Sequence, residues 1–257
     1  MTVDLPLRHE TVAEGAIHRL VLSRPKGNIL DRKMVAALRL ALGSIALEPQ
    51  VKAVILDSAG DHFSFGASVE EHLPDQVAAM LSDFHALFRE LLALGRQILA
   101  AVRGQCLGGG LELAAFASRV FAAPSARLGQ PEIALGVLAP VGSIVLPRRI
   151  GQAAAHDLLT SGRSVDAQAA LAMGLVDEIA EDPTHAAIEW AKEAYGNKSA
   201  ASLKFASRAA RWRADREFLE DLQALETFYL EELMRLEDAG EGIRAFLAKR
   251  APNWRNA

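Results

Sequence analysis

An apolar run ending at Val102 meets Gly104-Gln105-Cys106-Leu107-Gly108-Gly109-Gly110 and then a helical stretch, Leu111 to Ala117. No other feature restricts the fold as much. The run is of the kind that forms a buried strand, so the chain must pass from strand to helix through three consecutive glycines. Glycine allows positive φ and lets the backbone approach a ligand with no Cβ in the way. The first turn of the helix adds unpaired N–H groups and the positive end of its dipole, which suit a developing negative charge. Glu112 follows Gly109 by three residues, where its carboxylate can face the same spot. These residues point to an oxyanion site beside an acid/base group; a turn that merely packs tightly is the plain alternative. No Lys-Ser or Lys-Thr follows the glycines and the spacing is not G-x-G-x-x-G, which speaks against a nucleotide loop.

The flanking sequence alternates strand and helix. Ala16 to Ser23 reads as a strand stopped by Arg24-Pro25 and Gly27-Asn28. Asp31 can cap a helix through Ala46, with Met34, Leu38, Leu42 and Ile45 along one side. Val51 to Leu56 reads as a buried strand, followed by a turn-rich loop, Asp57 to Ser68. Gln76 to Leu94 has helical spacing and leads to the strand Gln97 to Val102; Arg119 to Ala123 is a further strand, and Pro124 to Pro131 a second turn-rich passage ending at Glu132. The alternation implies an α/β architecture with crossover connections. Beyond Gly151 the strand signal almost vanishes. Ala153 to Leu159, Ala167 to Met173, Ala186 to Tyr195, Ser202 to Ala214 and Arg216 to Leu247 all look helical. In the last, Phe218, Leu222, Leu225, Phe228, Leu233, Leu236 and Phe246 are apolar anchors for the chain's own core or a neighbouring subunit.

Composition removes several classes. With 51% apolar and 23% charged residues the 257-residue chain has ample material for a core. A net charge of -4 argues against nucleic acid as the main partner. The lone Cys106 rules out an internal disulfide and fits a reducing compartment. Met1 to Glu10 has no signal-like pattern, and no apolar run is long enough to span a bilayer, so the expected location is cytoplasmic, with no membrane partner. The seven histidines are scattered without H-E-x-x-H, and there is no G-x-S-x-G elbow, so metal and serine-hydrolase sites are poor readings.

Three passages stand out together: Phe63-Ser64-Phe65-Gly66-Ala67-Ser68, Leu107 to Ala114, and Leu128-Gly129-Gln130-Pro131-Glu132. In that order and at those intervals they resemble the crotonase (enoyl-CoA hydratase/isomerase) superfamily, over nearly the whole chain. The resemblance implies an α/β fold with a crotonase-like spiral of ββα units over residues 1–195. A helical C-terminal region, 196–257, would form a homotrimer or a dimer of trimers. It also implies an acyl-CoA thioester substrate and no cofactor beyond the CoA the substrate carries. The thioester oxygen would be held by the backbone N–H groups of Ala67 and Gly109, and Glu112 and Glu132 would be the paired catalytic acids of a hydratase. Such a pair suits the chemistry, because like charges facing one pocket hold different protonation states.

Two departures from the family pattern bear on the substrate. Ser68 stands where many members have Asp, and Pro140 replaces a glycine whose N–H borders the water site. Asn28-Ile29-Leu30-Asp31, Gly66 to Pro74 and Ala139-Pro140 are similar to a branch of the family that hydrates a ring dienoyl thioester in anaerobic aromatic (benzoyl-CoA) degradation. That similarity implies a reshaped acyl pocket; a general short-chain 2-enoyl-CoA hydratase and a non-catalytic binding subunit are the alternatives. For CoA itself the family pattern points to Lys26, Phe246 and Lys249, the last two from a neighbouring subunit's terminal helix.

Overall fold

A computed structural model describes residues 6–257; Met1 to Leu5, part of the opening segment read for targeting, lie outside the described residues. In chain order the first half runs β1 (Leu7–Val12), β2 (Ile17–Leu22), α1 (Arg32–Ala46), β3 (Ala53–Ser58), α2 (Val77–Leu94), β4 (Gln97–Val102), β5 (Gln105–Leu107), α3 (Gly109–Phe116), β6 (Arg119–Ala122) and β7 (Arg127–Gly129). The second half runs α4 (Pro140–Ile150), α5 (Gln152–Ser161), β8 (Ser164–Asp166), α6 (Ala167–Ala172), β9 (Glu178–Ile179), α7 (Pro183–Tyr195), α8 (Ala200–Ala210), α9 (Trp212–Glu231) and α10 (Glu237–Leu247).

The strands form two sheets. One has the order β1-β2-β3-β4-β6-β9, antiparallel at the β1-β2 hairpin and parallel beyond it; the smaller is β5-β7-β8. Parallel strands buried on both faces should read as continuous apolar runs, and β3 and β4 do. Val54, Leu56, Ile98, Ala100 and Val102 join the main core, whereas Ala53, Ile55, Leu99 and Ala101 face a second cluster completed by Ala187 and Ala191 of α7. The α/β architecture is therefore the one the alternation implies. Asp31 caps α1 as expected, accepting from Met34 N at 3.0 Å, and Met34, Leu38, Leu42 and Ile45 are all buried.

Several boundaries differ from the sequence reading. β3 starts at Ala53 rather than Val51, and α3 starts at Gly109 rather than Leu111 because Glu112 N already bonds to Gly108 O at 2.9 Å. The short strands β5, β7, β8 and β9 escaped notice, being two or three residues long and rich in glycine and polar residues. The long terminal helix is broken: α9 ends at Glu231, Leu233–Arg235 form a 3-10 turn, and Leu236 is extended before α10 begins. The break turns α10 back against the 131–135 segment. There a Cβ on Gly242 would lie 2.1 Å from Leu135 O, so only glycine fits the crossing. Of the expected anchors, Phe218 and Leu222 are buried, but Phe228, Leu236 and Phe246 are exposed and Tyr229 takes the inward position instead. No helix among the described residues is long and apolar enough to cross a membrane.

Candidate active site

The loop from Phe63 to Ser68 is stapled in place. Ser64 Oγ donates to Asn28 O at 2.8 Å and accepts from Gly66 N at 3.0 Å, while Leu107 N donates to Ser64 O at 2.9 Å. Asn28 Nδ2 donates to His62 O at 3.0 Å and to Phe63 O at 3.1 Å. These bonds set the loop face to face with the glycine turn before α3. A Cβ built on Gly66 would lie 3.3 Å from Gly109 N, and one built on Gly109 would lie 3.3 Å from Ala67 N. The amides of Ala67 and Gly109 are thus neighbours. Neither donates to a protein acceptor among the described residues, and Gly109 opens a helix, where an N–H is free by construction. Two adjacent, fixed, unpaired N–H groups are what a developing oxyanion needs.

Glu132 reaches the same turn, and Glu112 lies in the first turn of the helix that follows it. Gly108 takes φ 54°, ψ -129°, a conformation open essentially to glycine alone, and a Cβ there would lie 2.6 Å from Glu132 Oε1. Glu132 comes from the 3-10 turn Pro131–Leu135, entered through Pro131; although the residue is partly exposed, its Oε2 is buried and has no partner. Gln130 Nε2 donates to Glu132 Oε1 at 3.4 Å. Glu112, 4% exposed, points at the N-terminus of α4, where Gly142 N donates to its Oε1 at 2.7 Å. Burial raises the Glu112 carboxyl above the ordinary carboxylate range, and the amides of Gly142 and Val141 pull it back. Burial also raises Glu132, and the charge of Glu112 raises it further. The pair is therefore asymmetric. Glu112 has helix-end donors that favour its anion, and Glu132 has a neighbouring charge that favours its proton.

The remaining expected residues fall in different places. Pro140 is buried at the first position of α4, where its missing N–H leaves no helical bond unmade; the next two amides serve Glu112. Pro140 has no N–H to offer, and the two amides after it are taken up by Glu112. Ser68 contributes its carbonyl to His72 Nδ1 at 2.7 Å rather than a side-chain bond. Lys26 is exposed in a left-handed turn, Phe246 is exposed at the end of α10, and Lys249 lies just past that helix rather than on it. Among the described residues none of the three side chains makes a hydrogen bond or ion pair with Ala67, Gly109, Glu112 or Glu132. Among the described residues no three His, Cys, Asp or Glu side chains cluster as metal ligands. Sequence reasoning missed the Val141 and Gly142 amides, although Pro140 ahead of a helical stretch signals a helix start.

Comparison with known proteins bears on the family and the fold. The family model described as enoyl-CoA hydratase/isomerase matches residues 12–257. The chain is 53% identical over 251 residues to the cyclohexa-1,5-dienecarbonyl-CoA hydratase of Thauera aromatica, covering 98% of this chain and 97% of that protein. It is 35% identical to a probable enoyl-CoA hydratase of Mycobacterium bovis, covering 91% and 93% respectively. A crystal structure of an enoyl-CoA hydratase/isomerase from Pseudoalteromonas atlantica superposes with a TM-score of 0.83 at 27% identity, covering 97% of this chain and 99% of the other. An enoyl-CoA hydratase from Bacillus halodurans superposes with a TM-score of 0.85 at 22% identity, covering 93% and 99%, which bears on the fold alone.

Proposed function

The chain belongs to the enoyl-CoA hydratase/isomerase family, and from that premise we propose that it adds water to a conjugated acyl-CoA thioester, cyclohexa-1,5-diene-1-carbonyl-CoA in the first place. The observation that carries the hydratase reading is the pair of buried carboxylates, Glu112 and Glu132, beside two unpaired amides at one glycine turn. The ring substrate rests on the 53% identity to a hydratase of that name.

The chemistry follows from the parts. The thioester oxygen sits between the Ala67 and Gly109 amides, which are already aimed and need no reorganisation as charge builds. Water attacks the β-carbon of the thioester and gives one proton to a carboxylate. The other carboxyl delivers a proton to carbon, so one proton is taken and one returned. With the ring diene, the electron pair moves through the dienolate and the proton lands at its far end, giving 6-hydroxycyclohex-1-ene-1-carbonyl-CoA. The helix-end donors on Glu112 favour it as base at rest, with Glu132 as acid. Addition of water exchanges no electrons with a redox partner, so the reaction asks for no cofactor beyond the CoA of the substrate.

Lys26, Phe246 and Lys249 are proposed for CoA, with Ser68 and Pro140 shaping the acyl end. Residues 196–257 are proposed as an assembly region of a cytoplasmic trimer or dimer of trimers; the exposed Phe205, Trp212 and Phe246 support an assembly face. The deciding experiment is turnover of cyclohexa-1,5-diene-1-carbonyl-CoA beside crotonyl-CoA by the purified protein. Faster hydration of the ring dienoyl thioester is expected. Faster turnover of crotonyl-CoA would return the protein to the general 2-enoyl hydratases, and inertness toward both would leave a binding subunit.

A further inference from the structure

The turn that carries Glu132 has little of its own to hold it. No residue of Pro131–Leu135 is buried, yet Glu132 Oε1 lies so near Gly108 that a Cβ there would be 2.6 Å away. Part of what fixes the turn comes from beyond α10. Lys249 takes φ 51°; its amide donates to Phe246 O and that of Arg250 to Ala245 O, each at 3.0 Å. The chain reverses there and runs back beside the helix. Asn253 N donates to Glu241 Oε1 at 2.8 Å, and Arg255 N and Asn256 N donate to the two carboxylate oxygens of Asp238, each at 2.7 Å. Ala257 O then accepts from Glu237 N at 2.9 Å, one of the first amides of α10, which have no partner within the helix.

This fastening puts Trp254 against the Glu132 turn. A Cβ on Gly136, the residue that closes the turn, would lie 3.2 Å from Trp254 Cζ3 and 3.0 Å from Asp238 O. A Cβ on Gly242, where α10 crosses Leu135, would lie 2.8 Å from Trp254 Cη2. The indole edge is wedged where turn and helix meet, and the two glycines leave the room it takes. Gly136 N donates to Ile133 O at 3.0 Å and Val137 N to Glu132 O at 3.2 Å. A displacement at Gly136 therefore passes through main-chain bonds to the residue that bears the carboxylate. We infer, resting on the two-carboxylate reading above, that Trp254 is a positioning residue: the strap 252–257 seats its indole on Gly136 and so holds the Glu132 carboxylate at the glycine turn.

The test is a cycle of Trp254→Ala, Glu132→Gln and the double variant, with Trp254→Phe and Asp238→Ala beside them, using whichever of the two thioesters the parent hydrates faster. Misplacing a reacting group by about 1 Å costs on the order of 10²-fold in rate. Trp254→Ala should accordingly lose roughly 10- to 100-fold in kcat, with KM for the thioester within about threefold. Trp254→Phe, which keeps a ring edge for Gly136, should recover most of that loss. Asp238→Ala, which unfastens two strap amides and leaves the indole in the chain, should reproduce part of it. In the double variant the tryptophan should cost nothing beyond Glu132→Gln, because it acts through that carboxyl alone. Parental kcat in Trp254→Ala, equal losses in its alanine and phenylalanine forms, or full additivity in the double variant would overturn the role. Glu132→Gln separates the levels: if it is inactive while Trp254→Ala is normal, only the strap falls. An active Glu132→Gln brings down the reading beneath it, and a parent inert toward both thioesters brings down both.

Discussion

The cradle proposed at Ala67 and Gly109 and the acid pair proposed at Glu112 and Glu132 lie near the same turn but are made of different material. The cradle is main chain, held by Ser64, Asn28 and the close approach of two glycine loops. Its donors exist whatever side chain sits at position 67, and its weakness is geometry. The acids are side chains whose usefulness comes from their surroundings: a helix end at Glu112, a like charge at Glu132 and burial at both. An isosteric change that the cradle would ignore should therefore be ruinous at the acids, and a change of backbone chemistry should do the reverse.

The largest expected effect tests the second half of that contrast. Glu112→Gln and Glu132→Gln keep shape and change only proton chemistry, so each should cut kcat by about 10³–10⁴-fold while leaving acyl-CoA binding by calorimetry nearly unchanged. Near-parental turnover in both would refute the paired-acid assignment. Next in size is a change to the cradle. Ala67→Pro deletes one donor and should cost about 3 kcal/mol of transition-state stabilisation. Ala67→Ser, which keeps the N–H, should stay within about threefold of the parent. Equal losses in the two variants, read as kcat/KM with melting temperatures alongside, would mean that position 67 matters through its side chain and not its amide.

The same contrast decides what the sequence made legible. The cradle announces itself through Gly66 and Gly108-Gly109-Gly110, because a chain that must bring two main-chain segments this close has few residues to choose from. Glu112 and Glu132 were visible only through their neighbours in the three motifs, since an isolated glutamate carries no mark of burial. What supports them was illegible. The Val141 and Gly142 amides depend on where α4 ends up. The inward face of α9 was hidden as well, since Tyr229 sits beside Phe228, which looks the better core residue by hydrophobicity alone. Helical phase decides between them: Phe228 is 43% exposed and Tyr229 fully buried. The break at Leu236 was hidden for a related reason. The helix beyond it crosses Leu135 at Gly242, a contact between segments far apart in the chain.

The smallest expected effect concerns stability and separates the acids from the cradle by pH. Both carboxyls are raised above the ordinary value of 4.5, so across that interval the folded chain binds more protons than the unfolded one. Stability is then lost as pH climbs from 4.5 through the raised values, because ionising a buried carboxyl beside a second one is unfavourable in the fold and costless in the open chain. Glu132→Gln removes one of the two charges. Its melting temperature relative to the parent should rise by on the order of a few degrees between about pH 5 and about pH 8. Ala67→Ser, which touches no titrating group, should show the same offset at both. A Glu132→Gln offset that did not change with pH would mean that the folded state carries this carboxyl at its ordinary value, and that burial at the turn does not tune it.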